Sequence, residues 1–142
     1  MKINYLLLCV LVIIFFSACA SSKRFTSDKE FLNESESQLD SENLEFIEQG
    51  VASYYADKYH GKKTSSGEIY NMNDMTAAHP SLPFGIFLLV KNIKNNKSVI
   101  VRVNDRMPDF KNRIIDLSLA AAKKLDMISE GTVEVKIYRV RK

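Results

Sequence analysis

Short runs of alternating hydrophobic and polar positions dominate residues 50–142, which is the pattern of β-strands. Alternation is cleanest in the last segment, residues 132–140. In residues 98–104, three valines share one face, while Ile100 and Arg102 share the other. The pattern predicts three further strands, at residues 50–55, 85–92 and 113–117.

Turn and helix signals connect these predicted strands. Asn95 and Asn96 separate two neighbouring strands and predict a β-hairpin. Ser118 is a good N-cap for a helix over residues 119–126, whose sequence LAAAKKLD contains strong helix formers. Gly131 ends that segment before the last strand. Short strands with one small helix predict a mainly β fold, namely a small closed barrel.

The first eighteen residues have the pattern of an export signal. Lys2 precedes an unbroken apolar run over residues 6–16, which suits a secretory signal core and is short for a membrane span. Ser17, Ala18 and Cys19 then resemble the lipobox of bacterial lipoproteins. That resemblance implies cleavage after residue 18, a diacylglycerol thioether on Cys19 and an acylated amino terminus. The alternative is an ordinary secretory signal cut within residues 18–20.

Charge divides the rest of the chain. Residues 20–49 carry eight acidic and three basic side chains, a net charge of −5, whereas residues 50–142 carry sixteen basic and nine acidic side chains, a net charge of +7. The acidic, serine-rich stretch lacks strand signals, so residues 19–49 are expected to form a flexible, disordered linker. A short helix over residues 42–48, capped by Ser41, is the alternative there. A basic face suits a charged polymer, and equally an ordinary solvated surface.

Composition excludes several classes of protein. The mass of 16.2 kDa favours one folded domain. Both cysteines, Cys9 and Cys19, lie in the first twenty residues, which excludes a disulfide scaffold and a cysteine-based zinc site. Two histidines are too few for a His-only metal site, and a net charge of +3 is too small to indicate nucleic-acid binding. We therefore expect no cofactor, no metal and no nucleic-acid partner.

Several blocks of residues 50–142 resemble the rare lipoprotein A family, in its order and spacing. They are GVASYY at 50–55, HGKKTSSGEIY at 60–70, TAAHPSLPFG at 76–85, VRVNDR at 101–106 and RIIDLS at 113–118. The resemblance implies a six-stranded double-psi β-barrel with one short helix, a fold shared with expansins and some membrane-bound lytic transglycosylases. It also implies a lytic transglycosylase that cuts peptidoglycan glycan strands, preferably without stem peptides, to 1,6-anhydro-muramyl products. Such enzymes act within strands or from their ends, in wall remodelling and daughter-cell separation.

The sequence also departs from this family pattern. Tyr54 stands where tryptophan is usual, and Ala56, Met107 and Asn112 replace glycines. Asn112 is a mild change, since asparagine tolerates a left-handed backbone. Met107 is expected to narrow the groove or alter substrate choice. Because the sequence ends at Lys142, the peptidoglycan-binding repeat domain of many members is not expected here, which leaves septal recruitment open.

Glycosidic bond cleavage needs a carboxylic acid to protonate the leaving oxygen. A lytic transglycosylase uses the 6-hydroxyl of the sugar instead of water, so one acid that then becomes a base suffices. By the resemblance, Glu68, His79 and Asp105 form the catalytic set, and in expansin-type barrels the acid resembles Asp116. Apolar neighbours on both sides of Asp116 would raise its pKa. We predict Asp105 as the acid/base and keep Asp116 as the alternative.

The remaining site residues are assigned by chemistry. His79 is predicted to orient a carboxylate or the substrate, against the alternative of a hydrogen-bonded structural residue, and His60 is predicted to be structural. Tyrosines suit stacking on sugar faces, and Tyr59 is one of them, although some of the tyrosines will serve the core. The predicted substrate-binding residues are Tyr54, Tyr55, Tyr70, Asn104 and Arg106.

Two classes of function follow from these assignments. One is a lytic transglycosylase, and the other is a non-catalytic, expansin-like module that binds or loosens peptidoglycan. In either case the expected partners are glycan strands and, through Cys19, a membrane, with the protein a monomer. The expected location is the periplasmic side of the envelope, at the outer membrane, with enrichment at the division septum.

Overall fold

The computed structural model describes residues 41–55 and 57–141. The predicted signal peptide (residues 1–18), the predicted lipidation site Cys19, most of the predicted linker and Ala56 lie outside the described residues.

Six strands of the described chain form a closed barrel, and one short helix packs on it. The strands follow the order β1-β5-β2-β4-β3-β6 around the barrel. The pairs β1–β5 and β2–β4 are parallel, and the other four neighbouring pairs are antiparallel. The predicted mainly β, six-stranded barrel with one helix is therefore confirmed. The bounds are β1 Leu44–Tyr54, β2 Thr76–Ala78, β3 Phe87–Asn92, β4 Ser98–Asp105, β5 Arg113–Leu117, α1 Leu119–Lys124 and β6 Val133–Val140.

The predicted alternation fills the barrel interior. The three valines of β4 lie in the core, together with Val133, Val135 and Ile137 of β6. Their burial, rather than intrinsic strand preference, is the main stabilising contribution of these strands. The β3–β4 hairpin forms as predicted, with Asn96 in the left-handed region at φ 61°. Ser118 caps α1, since its Oγ accepts a hydrogen bond from the amide of Ala121 at 3.2 Å.

Strand β1 begins at Leu44, so the predicted boundary between linker and barrel at residues 49 and 50 is wrong. The short helix suggested over residues 42–48 is also wrong, because only a 3-10 turn forms at Ser41–Asn43, and the chain from Leu44, opposite Val140, pairs antiparallel with β6. The start of β1 was not predicted from the sequence because this stretch is rich in acidic residues. Glu45 lies opposite Arg139 and forms an ion pair with Arg141 at 3.3 Å, so the basic last strand compensates the acidic first one.

Gly50 lies where β1 approaches β5 and the turn before it closely. A Cβ atom on this glycine would lie 2.7 Å from Ile114 Cγ2 and 2.9 Å from the carbonyl oxygen of Asn112. The next amide, that of Val51, donates to the same Asn112 oxygen at 2.7 Å. Asn112 itself has φ 68°, which fits the expected tolerance of asparagine for this conformation.

Two further observations concern the described residues. Strand β2 escaped prediction because three residues are too few for a pattern, yet its position between β4 and β5 buries all of them. Among residues 41–55 and 57–141, no helix is long and apolar enough to cross a membrane.

Candidate functional site

The predicted acid, Asp105, is the last residue of β4, at the point where three strands meet. It lies opposite Ala78 of β2, and Ala78 in turn lies opposite Asp116 of β5. The parallel β2–β4 pair and the antiparallel β2–β5 pair thus bring two distant aspartates to one region of the barrel. The two aspartates that the sequence left as alternative acids therefore flank Ala78, one on each neighbouring strand.

Three donors hold the Asp105 carboxylate. The backbone amides of Ser65 and Arg106 each donate to Oδ1 at 2.8 Å, and the Tyr55 hydroxyl donates to Oδ2 at 2.7 Å. Burial alone would raise the pKa of Asp105, but the hydrogen bonds outweigh it and lower the pKa below its ordinary value of 3.8. In the free protein Asp105 is therefore a carboxylate at neutral pH. A general acid needs the opposite, so the resting group is ready to accept a proton rather than to give one.

Tyr55 connects this carboxylate to a cluster of aromatic rings. Its ring centroid lies 4.9 Å from that of Tyr70 and 5.6 Å from that of Tyr59. Burial and the adjacent Asp105 strongly raise the pKa of Tyr55, with a smaller contribution from Asp116. The Tyr55 hydroxyl thus keeps its proton and acts as a fixed donor to Asp105.

Glu68 lies in the Gly67 loop, which we define as residues 61–70. Its two carboxylate oxygens accept from the Arg102 guanidinium at 2.7 and 2.8 Å, a bidentate geometry, and Asn104 Nδ2 donates to it at 3.1 Å. These bonds, that from Arg102 first, lower the pKa of Glu68. A carboxylate held in this way is poorly placed to exchange protons with a substrate.

The same loop delivers Ser65 to Asp105. Gly67, at φ 93°, closes a turn in which its amide donates to the Thr64 carbonyl at 3.0 Å. Glu68 then ties that turn to β4, and the Ser66 amide donates to the Asn104 carbonyl at 3.3 Å. The contacts of Glu68 therefore fix the position of the Ser65 amide.

Asp116 has a different set of partners. Ser53, which lies opposite it on β1, donates a hydrogen bond to Oδ1, and Arg113 Nε lies 3.3 Å from the same oxygen. The Arg113 guanidinium also stacks on Phe110, 4.2 Å from the ring centroid. Asp116 is thus already paired with a cation and a hydroxyl.

His79 follows β2 and is 3% exposed. Its Nδ1 accepts from the amides of Ser81 and Leu82, at 3.1 and 3.0 Å. A nitrogen that accepts two hydrogen bonds carries no proton, so Nε2 carries it and donates to Glu48 Oε1 at 2.9 Å. His79 was predicted to orient a site carboxylate or the substrate, but its side chain contacts the carboxylate of Glu48 instead. Glu48 lies in the stretch that the sequence predicted to be linker.

Burial divides the predicted sugar-binding residues. Tyr70 and Asn104 are buried, and the half-buried Tyr54 packs on the core with its hydroxyl directed to the Ile128 carbonyl at 3.4 Å. Arg106 is more accessible, and its guanidinium carbon lies 3.8 Å from the Phe84 ring centroid. Met107 is buried, so the side chain expected to narrow the groove packs inward.

Two exposed rings lie near Asp105. Tyr59 is 40% exposed, and the ammonium groups of Lys58 and Lys62 both lie 5.4 Å from its ring centroid. Its ring packs against that of Tyr55, whose hydroxyl donates to Asp105. Phe84 is 41% exposed and contacts the same region through Arg106. The sequence analysis did not single out Phe84, and its position before Gly85 in a family block was the only signal for it.

Across the described part of the chain, no cluster of three or more His, Cys, Asp or Glu side chains is suited to a metal ion.

Comparison with known proteins identifies the family. A family model described as lytic transglycolase matches residues 47–137. The chain belongs to the lytic transglycolase family. The match begins within β1, in agreement with the early start of that strand, and it includes Glu48 and every predicted catalytic residue.

The names of individual relatives agree with this family assignment. The chain is 55% identical over 96 residues to a Neisseria meningitidis serogroup A protein named endolytic peptidoglycan transglycosylase RlpA, covering 68% of the chain and 40% of that protein. It is 56% identical over 88 residues to a Campylobacter jejuni protein of the same name, covering 62% of the chain and 32% of that protein. The chain thus spans less than half the length of these relatives.

A solved structure confirms the predicted barrel type. The apo expansin of Clavibacter michiganensis superposes with a TM-score of 0.54 at 22% identity, covering 66% of this chain and 50% of the expansin. The lytic transglycolase domain of this chain is therefore a double-psi β-barrel of the expansin type.

Proposed function

We propose that this protein is a lytic transglycosylase that cleaves peptidoglycan glycan strands, preferably strands that lack stem peptides, within the strand or from its end. The carrying observation is the Asp105 carboxylate, held by the amides of Ser65 and Arg106 and by the Tyr55 hydroxyl at the end of β4. Membership of the lytic transglycolase family and relatives named endolytic peptidoglycan transglycosylases support the same reaction.

Asp105 is the group that moves the proton. It accepts the proton of the muramyl 6-hydroxyl, the resulting oxygen bonds to C1 of the same sugar, and the C1–oxygen bond to the next sugar breaks. The proton then passes to the leaving oxygen, so the atoms balance without water and the product carries a 1,6-anhydro ring. A bound glycan covers the half-buried carboxylate and removes water from it, which raises its pKa towards that of an effective acid.

Neighbouring residues position this carboxylate. Tyr55 donates to Oδ2, and Glu68, through Arg102 and Asn104, holds the loop that supplies the Ser65 amide to Oδ1. We assign Glu68 to this supporting role rather than to proton transfer, since its oxygens are already engaged.

The sugar contacts come from the accessible side chains of this region. The Tyr59 and Phe84 rings offer apolar faces of the kind that stack on sugars, and each carries a cation close by. These cations suit a polymer that offers carboxylates beside its sugar rings. Tyr55 and Arg106 remain candidates for substrate contact, whereas the buried Tyr70 and Asn104 act as supports.

The proposals on membrane attachment, location and oligomeric state rest on the sequence patterns alone. We propose a lipid anchor on Cys19, a position at the outer membrane facing the periplasm, enrichment at the septum and a monomeric state. Two or three acyl chains, at about 0.8 kcal/mol for each buried methylene, would retain the protein at a membrane. Detergent partition of the Cys19→Ala protein tests the anchor, and wild-type partition of that variant would contradict it.

Substitution of the two aspartates tests the assignment of the acid/base. Asp105→Asn keeps the size of the side chain but cannot take a proton, so turnover of peptide-free glycan strands should fall about 10²- to 10⁴-fold with binding retained. Asp116→Asn is the matched control and should keep substantial turnover. An active Asp105→Asn protein together with an inactive Asp116→Asn protein would reverse the assignment of the acid/base. Binding without product from the wild type would favour the expansin-like alternative.

A further inference from the structure

We infer that Glu48 is a positioning residue for the reaction at Asp105 and that it acts through His79. This inference rests on the proposed function, and nothing in the family blocks assigns a role to Glu48. The residue lies on β1, whereas His79 follows β2, and strand β5 lies between those two strands. The Glu48–His79 hydrogen bond therefore links parts of the barrel that do not otherwise pair.

The first step of the argument is the state of the imidazole. Both ring nitrogens of His79 are engaged, Nδ1 with the Ser81 and Leu82 amides and Nε2 with Glu48. A buried ring with no free nitrogen neither contacts a glycan nor exchanges protons with it. A carboxylate that accepts the ring N–H fixes both the tautomer and the orientation of the imidazole.

The second step is the link from His79 to Asp105, which runs through the backbone. The His79 amide donates to the Asp105 carbonyl at 3.2 Å, and the His79 carbonyl accepts from Arg106 Nη1 at 3.4 Å. The amide of Arg106 is one of the donors to the Asp105 carboxylate. A shift of His79 thus moves the strand end that carries the reacting group.

The third step is the local geometry of β1. The β1–β6 register shifts between Phe46 and Glu48, which is a bulge. Bulges redirect side chains and are frequent beside active sites. Glu45, on the same strand, shows the ordinary case, since it forms an ion pair with Arg141 of the last segment. The two carboxylates are similarly exposed, at 39% for Glu48 and 42% for Glu45, so Glu45 is a matched control.

The experiment compares Glu48→Ala, Glu48→Gln and Glu45→Ala in the full-length protein with peptide-free glycan strands as substrate. Glu48→Ala should lower kcat about 10- to 100-fold and leave KM within about twofold, because Glu48 does not contact the glycan. Glu48→Gln keeps an oxygen that accepts the ring N–H, so it should recover most of kcat, and Glu45→Ala should match the wild type. Wild-type kcat in Glu48→Ala, after correction for the folded fraction, would overturn the inference.

Nuclear magnetic resonance separates this inference from the proposed function. Only two histidines are present, so the His79 Nε2–H can be assigned, and Glu48→Ala should abolish its protection from exchange. The same variant should shift the amide resonances of Asp105 and Arg106, while Glu45→Ala should not. A wild type without product would contradict the proposed function alone, whereas unshifted Asp105 and Arg106 amides would contradict the role of Glu48 whatever the activity. If Glu48→Ala does not fold, Glu48→Leu, which keeps the bulk of the side chain but cannot accept the ring N–H, decides by the same resonances: shifts at the His79 ring and at Asp105 support the role, and none overturns it.

Discussion

Hydrogen bonds set the pKa of the Asp105 and Glu68 carboxyl groups more than burial does. Burial alone would raise the pKa of Asp105, but the amide and hydroxyl donors outweigh burial and lower it. Two of these donors are backbone amides, one of them from a residue forty positions away in sequence. Side-chain types along the sequence give no sign of such donors, so the direction of this shift could not be predicted.

The Glu68 carboxylate gives a pH-dependent prediction. Its pKa in the folded protein lies below its ordinary value of 4.5, chiefly through Arg102. A group with a lowered folded pKa stabilises the fold above the unfolded pKa, and this contribution is lost as pH falls through the folded pKa. The Glu68→Gln protein should therefore lose less melting temperature than the wild type between about pH 6 and about pH 3. Parallel losses in the two proteins would show that the Arg102–Glu68 pair contributes no stability.

Among the secondary-structure elements, the start of β1 could not be predicted from its own sequence. Residues 44–49 join the barrel because β6 offers them a complementary, basic partner strand, and only the fold brings that partner alongside. By contrast, β4, β6 and the Ser118-capped helix were predictable, since their patterns and caps are local. The site was predictable only as a set of residue types. That Glu68 contacts Arg102 and that His79 contacts Glu48 depends on strand order.

Two truncations test the contribution of this strand extension. Removal of residues 1–43 leaves β1 intact and should leave the melting temperature near that of the untruncated protein. Removal of residues 1–49 deletes the pairs from Leu44 to Gln49 and the Glu48–His79 bond, so it should lower the melting temperature by several degrees. Equal melting temperatures for the two truncated proteins would mean that this part of β1 adds nothing to the barrel.

At the scale of the whole molecule, the basic barrel follows an acidic segment and a stretch whose sequence predicts an export signal. The net charge of +7 over residues 50–142 suits an anionic polymer, and the exposed Tyr59 and Phe84 rings near Asp105 suit its sugars. A double-psi barrel alone does not define a function, since one fold supports many sites. The claim of catalysis therefore depends on Asp105 and its three donors rather than on the fold.

The mass of the new glycan ends tests the central claim most directly. Peptide-free glycan strands are digested with the wild-type protein, and the soluble products are analysed by mass spectrometry. Proton transfer by one carboxylate without water predicts 1,6-anhydro ends, each about 18 Da lighter than a hydrolysed reducing end. The account predicts anhydro ends with the wild type and almost none with Asp105→Asn. Reducing ends from the wild type would contradict it and would indicate a hydrolase with paired carboxylates.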